Sequence, residues 1–148
     1  MSAGTAPPSH SADPGMTEVH HRLSRSPRSA GRARALLRGQ LTEWNIDGEA
    51  SQVAELLLSE LVTNALLHAQ VPTGREIGLR FTRYDGRLRV EVADANNDRP
   101  EVRAATVEDE HGRGLALVEA LADRWGYCPR PYGIGKATWA EVTLTPDA

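Results

Sequence analysis

The chain has 148 residues, of which 40% are hydrophobic and 25% are charged, so it fits one soluble domain with a substantial core. Its net charge of -3 argues against nucleic acid as a partner, because no global basic field is present. A single cysteine, Cys128, excludes an intramolecular disulfide and favours a reducing compartment. The sequence contains no signal-peptide-like apolar segment and no apolar run of roughly 18 residues, and therefore predicts a cytoplasmic protein without a membrane span.

The N-terminal part of the chain changes character near residue 18. Residues 1–17 are rich in Ser, Ala, Pro and Gly, which predicts a disordered tail ahead of a folded domain over residues 18–148. Apolar and polar residues then alternate over residues 19–23, which predicts a short edge strand. This strand would turn His20 and His21 to opposite faces.

Two helices are predicted next. The first covers Ser29–Trp44, and its apolar face consists of Ala33, Leu36, Leu37, Leu41 and Trp44. The second covers Glu49–Ala69, with Asp47 placed to cap its N-terminus. These two helices follow one another without an intervening strand, which is typical of an α+β fold.

The second half of the chain is rich in predicted strands. Glu76–Arg83 and Arg87–Ala93 both alternate, and the Asp-Gly pair at 85–86 between them is a strong hairpin signal. A third helix follows, and then strands over Trp125–Cys128 and Lys136–Thr145. This order predicts a two-layer α/β sandwich whose mostly antiparallel sheet is covered by helices on one face and meets solvent on the other.

The second helix carries two polar stripes where a plain amphipathic helix has one. The first stripe, predicted to be solvated, contains Glu55, Ser59 and Thr63. The second contains Glu60, Asn64 and His68, and it runs inside an apolar arc of Val53, Leu56, Leu57, Leu61 and Leu67. Buried hydrogen bonds to loops would explain a single such residue, whereas three in register favour a cleft. There, a carboxamide oxygen can bind Mg²⁺ and a carboxylate can accept a proton.

The ends of two strands add polar groups to the inward face. The inward residues of the fourth predicted strand are Leu88, Val90 and Val92. Its outward residues, predicted to be exposed, are Arg87, Arg89 and Glu91. Asp94 continues the inward register, so it either accepts from a donor such as a purine amino group or caps the following loop. In the last strand, Lys136 and Thr138 likewise continue the inward face.

Glycines precede the third helix in HGRGLALVEALADRWG, which begins at His111. Glycine is strongly enriched after helices and only modestly before them. Free N–H groups and the helix dipole make such a start a phosphate site, although close packing would also explain the glycines. The core face of this helix is predicted to contain Leu117, Val118 and Leu121.

Three segments together resemble the nucleotide-binding boxes of the Bergerat-fold (GHKL) ATPases and kinases. They are SELVTNALLHA (Ser59–Ala69), VEVAD (Val90–Asp94) and HGRGLALV (His111–Val118). Within that superfamily the chain looks most like the bacterial anti-sigma factor serine/threonine kinases and their actinobacterial relatives. The resemblance extends over Val19–Leu144, and it implies a mixed sheet covered on one face by about three helices.

The resemblance also implies a Mg-ATP site. Glu60 matches the catalytic general base, Asn64 the Mg²⁺ ligand, and Asp94 the acceptor for the adenine amino group. The further cofactor-binding positions are His68, Asn96, Gly112, Arg113, Gly114, Leu115 and Thr138. The polar stretch from Asn96 to Glu110 matches the lid. In such kinases the phosphate goes to a serine or threonine of an anti-anti-sigma partner, and the kinases commonly form homodimers and bind a sigma factor.

Two departures from the superfamily pattern concern this site. The usual Asp-x-Gly-x-Gly reads Asp94-Ala-Asn-Asn-Asp98 here, and Asn96 can adopt the positive φ of the first glycine. The usual Gly-Thr-x-Val reads Gly135-Lys136-Ala137-Thr138 here, so Thr138 lies on the same face as the usual Thr but one alternate position further along. The alternative hypotheses are a nucleotide-responsive binding module without turnover, an interaction domain without nucleotide, and a histidine-kinase catalytic domain.

Overall fold

The computed structural model describes residues 3–4, 15–68, 76–94, 115–129 and 136–144. In chain order the elements are β1 (Ala3–Gly4), β2 (Thr17–Ser24), α1 (Ser29–Glu43), α2 (Gly48–His68), β3 (Glu76–Tyr84), β4 (Arg87–Asp94), α3 (residues 115–121), β5 (Arg124–Pro129) and β6 (Lys136–Thr143). The predicted elements are therefore present, with small differences at their ends, and β1 is added.

The strands form one sheet in the order β1-β5-β6-β4-β3-β2. All neighbours are antiparallel except β1 and β5, which pair in parallel. β2 lies at the edge of the sheet, as its short alternating pattern predicted. The mixed, mostly antiparallel sheet of the α+β prediction is confirmed.

The β3–β4 hairpin confirms the Asp-Gly signal. Asp85 has φ of 50° and Gly86 has φ of 67°, so both turn residues are left-handed. A two-residue turn of this kind matches the twist of the strands that it joins. The turn sets the register in which Tyr84 pairs with Arg87, and this register places the apolar residues of both strands on one face.

The core lies between that face and the helices. α1 packs on α2, and α2 lies across β4 and β6. The fully buried members from helix and sheet include Leu37, Leu57, Leu61, Phe81 and Val90. The predicted apolar face of α1 is confirmed, because Ala33, Leu37, Leu41 and Trp44 are buried and Leu36 is partly buried.

The middle of the opposite face of the sheet, on β4 and β6, contradicts the prediction that this face meets solvent, whereas His20 and Arg22 at the β2 edge are exposed as predicted. Arg89 is only 4% exposed, Glu141 is 1% exposed and Glu91 is also buried. The carboxylate of Glu141 accepts hydrogen bonds from Arg89 Nε at 2.8 Å and Nη2 at 2.6 Å, and from the Tyr84 hydroxyl. These groups lie on adjacent strands, and their pairing is what allows charges to be buried here.

The ring of Trp139 packs against these groups. We call the four residues Tyr84, Arg89, Trp139 and Glu141 the outer-face network. The Arg89 guanidinium lies 4.2 Å from the centre of the Trp139 ring, and this ring is 1% exposed. Such a cation–π contact is strengthened by desolvation. Burial, together with the hydrogen bond to Glu141, raises the pKa of the Tyr84 hydroxyl. Alternation alone predicted this face to be polar and missed its burial.

The first polar stripe of α2 also differs from the prediction that it is simply solvated. Arg34 of α1 donates to the Ser59 hydroxyl at 2.9 Å, and Arg38 donates to Glu55 at 3.2 Å. Of that stripe, Thr63 is exposed. The stripe is therefore partly a polar contact with α1. Leu56, predicted to lie in the apolar arc, is instead 41% exposed.

Several predictions concern the chain ends and the histidines. His20 bonds to Glu18 on the outer face, whereas the His21 ring contacts Phe81 on the inner face, as predicted. Residues 1–2 and 5–14 of the predicted tail lie outside the described residues, so disorder there stays a prediction, whereas Ala3–Gly4 pair with β5 and Thr17 begins β2. In the described part of the chain, no helix combines the length and apolar character that a membrane crossing requires.

Candidate functional site

The candidate site lies at the end of the sheet where β2 and β4 finish and where β3 and β6 begin. β2 finishes at Ser24, which pairs with Glu76 at the start of β3. Beside it, Ile77 pairs with Asp94, the last residue of β4, and Asp94 pairs with Lys136 at the start of β6. We call this edge the Asp94 end of the sheet.

The C-terminal turn of α2 lies over the same end. Arg25 follows β2 directly, and its Nη2 donates to the carbonyl oxygens of Ala65 and Leu66, each at 3.3 Å. These contacts connect the end of the strand to the last turn of the helix. The structure therefore brings the helix segment with the second polar stripe to the strand end that contains Asp94.

Asn64 occupies a position on α2 where an apolar residue is expected. It lies one turn beyond Leu61 and two turns beyond Leu57, both fully buried, and it is itself only 8% exposed. Burial of a carboxamide is costly unless its polar atoms are used. One turn earlier, Glu60 is half-buried. The predicted polar stripe is therefore partly inside the molecule.

Two further predicted residues are buried on the inner side. Thr138 is buried on the inner face of β6 and pairs with Val92, two residues before Asp94. Leu115, the first residue of α3, is buried in the core together with Val118. Thr138 thus continues toward the Asp94 end, while Leu115 anchors the start of α3.

The side chains of the remaining predicted site residues are not described. For His68, Asp94 and Lys136 the backbone is described and the side chain is not. Residues 95–114, which contain Asn96, Gly112, Arg113, Gly114 and the predicted lid, are not described, nor is the side chain of Cys128. Their assignments stay predictions.

The donor groups present fit a magnesium nucleotide. The carboxamide oxygen of Asn64 is the hard ligand type that Mg²⁺ accepts, and such ions keep waters and phosphates as their other ligands. Glu60 supplies a carboxylate one turn away on the same side of α2. No cluster of three or more His, Cys, Asp or Glu residues able to hold a metal occurs in the described ranges. Asn64 and Glu60 are therefore compatible with a metal that is held jointly with phosphate.

A separate cavity of about 770 Å³ opens at the other end of the sheet. It is lined by the α1–α2 connection, including Asn45 and Gly48, and by the hairpin turn at Asp85 and Gly86. None of the predicted site residues lines it. This cavity is therefore separate from the residues at the Asp94 end.

Sequence reasoning missed two arginines that hold α2 in place. Arg34 contacts Ser59, the neighbour of Glu60, and Arg25 contacts the residues that follow Asn64. Arginine spacing alone does not reveal such contacts, because the partners are 25 and 40 residues away in the chain. Arg25 lies in the β2–α1 turn, and Arg34 lies on α1, which packs on α2.

Comparison with known proteins agrees with this geometry. The family model of the histidine kinase-like ATPase domain matches residues 23–139. The chain is also similar to the crystal structure of the RsbU and RsbW domains of Rv1364c from Mycobacterium tuberculosis, with a TM-score of 0.68 and 23% sequence identity. That alignment covers 89% of this chain but only 34% of the other, and it concerns the fold. No curated protein sequence matches this chain.

Proposed function

We propose that this chain, which belongs to the histidine kinase-like ATPase family, is an ATP-binding regulator that acts as an anti-sigma factor serine/threonine kinase. The observation that carries the proposal is Asn64, a buried carboxamide on α2, one turn from Glu60 and over the Asp94 end of the sheet. Membership of this family supports the binding of ATP. The resemblance of the three sequence boxes to those of anti-sigma factor kinases supports phosphate transfer to a serine or threonine as the reaction.

In the proposed reaction Glu60 accepts the proton of a serine or threonine hydroxyl on the substrate protein. The hydroxyl oxygen forms a bond to the terminal phosphorus of ATP, the bond from that phosphorus to the bridging oxygen breaks, and ADP leaves with the electron pair. Mg²⁺, held by Asn64 and the phosphates, supplies charge neutralisation when bound. Asp94 accepts from the adenine amino group, and Thr138 supports this contact.

The glycine-flanked start of α3 completes the proposed site. Gly112 and Gly114 let backbone N–H groups approach the phosphates, and Arg113 adds positive charge. The proposed substrate is an anti-anti-sigma protein, and a sigma factor is the proposed second partner. A homodimer is proposed from the same family likeness.

The site assignment predicts that two variants lose nucleotide affinity in different ways. Asn64→Ala removes the metal ligand and is expected to weaken Mg-ATP binding by about tenfold or more, with little effect on ATP in EDTA. Asp94→Asn weakens nucleotide binding in both buffers, because it replaces the acceptor for the adenine amino group. Isothermal titration with and without Mg²⁺ measures both effects.

Thr63→Ala is the matched control for these variants. It changes an exposed residue next to Asn64 on the same helix. The affinity of this variant for Mg-ATP is therefore expected to equal that of the wild type. Affinity that is unchanged in both Asn64→Ala and Asp94→Asn would refute the site assignment.

Nucleotide binding also predicts ligand-dependent stability. At a ligand concentration near 100 times Kd, Mg-ATP should stabilise the folded state by about 2.7 kcal/mol. A thermal-shift titration measures this effect. The absence of any shift at millimolar Mg-ATP would instead favour the interaction domain without nucleotide.

A binding module without turnover is the second candidate. The observation that favours it is Asp98, which stands where the superfamily motif has its second glycine. Such a protein would sequester its partner without phosphorylating it. ATP binding without phosphate transfer to any candidate anti-anti-sigma partner, and partner binding retained in Glu60→Ala, would favour this function over the kinase.

A further inference from the structure

Arg25 stands in a turn that is held by its own hydrogen bonds. The Ser29 hydroxyl donates to the Ser24 carbonyl at 2.6 Å and accepts from the Ser26 N–H at 3.0 Å. The Ser26 hydroxyl in turn accepts from the Arg28 N–H at 3.1 Å. Ser29 is completely buried. The backbone on both sides of Arg25 is therefore fixed relative to the end of β2.

The guanidinium of Arg25 contacts the backbone of the last turn of α2. The C-terminal carbonyls of an α-helix carry the negative end of the helix dipole. Arg25 Nη2 donates to the carbonyls of Ala65 and Leu66, both at 3.3 Å. A cation at this place matches the helix in charge as well as in hydrogen bonding.

The second terminal nitrogen of the same side chain is also inside the protein. Arg25 Nη1 is buried and makes no hydrogen bond. Burial of an unsatisfied cationic donor is costly, so an arginine with no role at this place would be unfavourable. The contacts to the α2 carbonyls are what offsets this cost.

We propose that Arg25 is a positioning residue for the nucleotide site, holding the last turn of α2 so that Asn64 keeps its place over the Asp94 end. Its contacts begin at the carbonyl of Ala65, the residue after Asn64. This inference rests on the proposed function, because holding the last turn of α2 matters for the nucleotide only if Asn64 binds Mg²⁺ there. Arg25 acts through α2 and touches neither substrate nor metal.

The test compares Arg25→Met and Arg25→Lys with Arg22→Met as the matched control. Arg22 lies three residues earlier, is exposed, and pairs only loosely with Glu76 at 3.4 Å. The quantity measured is the ratio of ATP affinity in Mg²⁺ to that in EDTA, which isolates the contribution of the metal. In Arg25→Met this ratio is expected to fall by roughly tenfold, as is typical when support for a metal ligand is lost.

The other variants show whether the effect is one of positioning. Arg25→Lys keeps a cationic donor and is expected to restore most of the ratio, while Arg22→Met is expected to match the wild type. A ratio in Arg25→Met equal to that of the wild type overturns the proposal. Arg25→Gln is measured in the same way if Arg25→Met does not fold.

A second readout separates this inference from the proposed function. Amide hydrogen exchange over residues 65–68 is expected to be faster in Arg25→Met than in Arg22→Met, while exchange in the first half of α2 stays the same. Failure of the wild type to bind ATP in either buffer would contradict the proposed function alone, and exchange would then decide whether Arg25 holds α2. Unchanged exchange at residues 65–68 overturns that role as well.

Discussion

Glu60→Gln is expected to lower the rate of phosphate transfer to the partner protein by about 10²–10⁴-fold, because it removes the proposed proton acceptor. The amide has nearly the same shape as the carboxylate, so Mg-ATP affinity should change little. The comparison therefore separates catalysis from binding. Transfer of radiolabelled phosphate from ATP to a candidate anti-anti-sigma protein measures the rate, and calorimetry measures the affinity.

Glu55→Gln provides the control for this experiment. Glu55 lies on the same helix and carries the same charge, but it faces α1 and pairs with Arg38 at 3.2 Å. It is expected to transfer phosphate at the wild-type rate. Full transfer by Glu60→Gln would exclude Glu60 as the general base. A parallel loss of affinity and rate would assign Glu60 to binding.

The second large effect is expected in the outer-face network. Glu141→Gln leaves the buried Arg89 guanidinium without its anionic partner, at a place where water cannot replace it. Removal of one member of a buried pair typically costs about 3–5 kcal/mol in the free energy of unfolding. Urea denaturation measures this loss, with the position of the transition as the readout.

Glu76→Gln is the control for this stability prediction. Glu76 pairs with Arg22 at the exposed surface, and such pairs contribute about 0–1 kcal/mol. The double variant Arg89→Met/Glu141→Leu should cost less than the sum of its single changes, since no charge is then left alone. A loss in Glu141→Gln as small as that in Glu76→Gln would show that the network contributes little to stability.

The same carboxylate makes stability depend on pH. Burial alone would raise the pKa of Glu141, but hydrogen bonds from Tyr84 and Arg89 outweigh burial and lower the pKa below its ordinary value. The contribution of Glu141 is therefore fully present above the pKa of the unfolded chain and is lost as pH falls through the folded-state pKa. Wild type should lose more stability than Glu141→Gln between neutral and acidic pH. Equal losses would contradict this linkage.

Local pattern predicted most of the elements, because their signals are contained in short stretches of chain. The Asp85-Gly86 pair has the backbone freedom that a tight hairpin requires, and both residues are left-handed in the structure. Likewise, the i, i+4 spacing of Glu60 and Asn64 places both residues on one side of α2. Such features require only propensity and periodicity.

The candidate site was predictable in part for the same reason. Residues on one helix or one strand keep their relation whatever the tertiary fold, so Asn64 could be paired with Glu60. That α2 lies near Asp94 could be predicted only from the resemblance to a family, because β3 separates α2 from β4 in the chain. The structure supplies this relation through Arg25 and the pairing at the Asp94 end.

What the sequence by itself determined is the main helices and strands, most of the apolar positions that form the core, and the polar stripe with Glu60 and Asn64. Only the tertiary structure decided the burial of Arg89 and Glu141 and the contact of Arg25 with α2. The physical reason is that charge pairing depends on strand order and turn geometry, which join residues as far apart as 40 and 52 positions. Alternation specifies the face of a side chain, but the neighbours on that face specify whether a charge can be buried there.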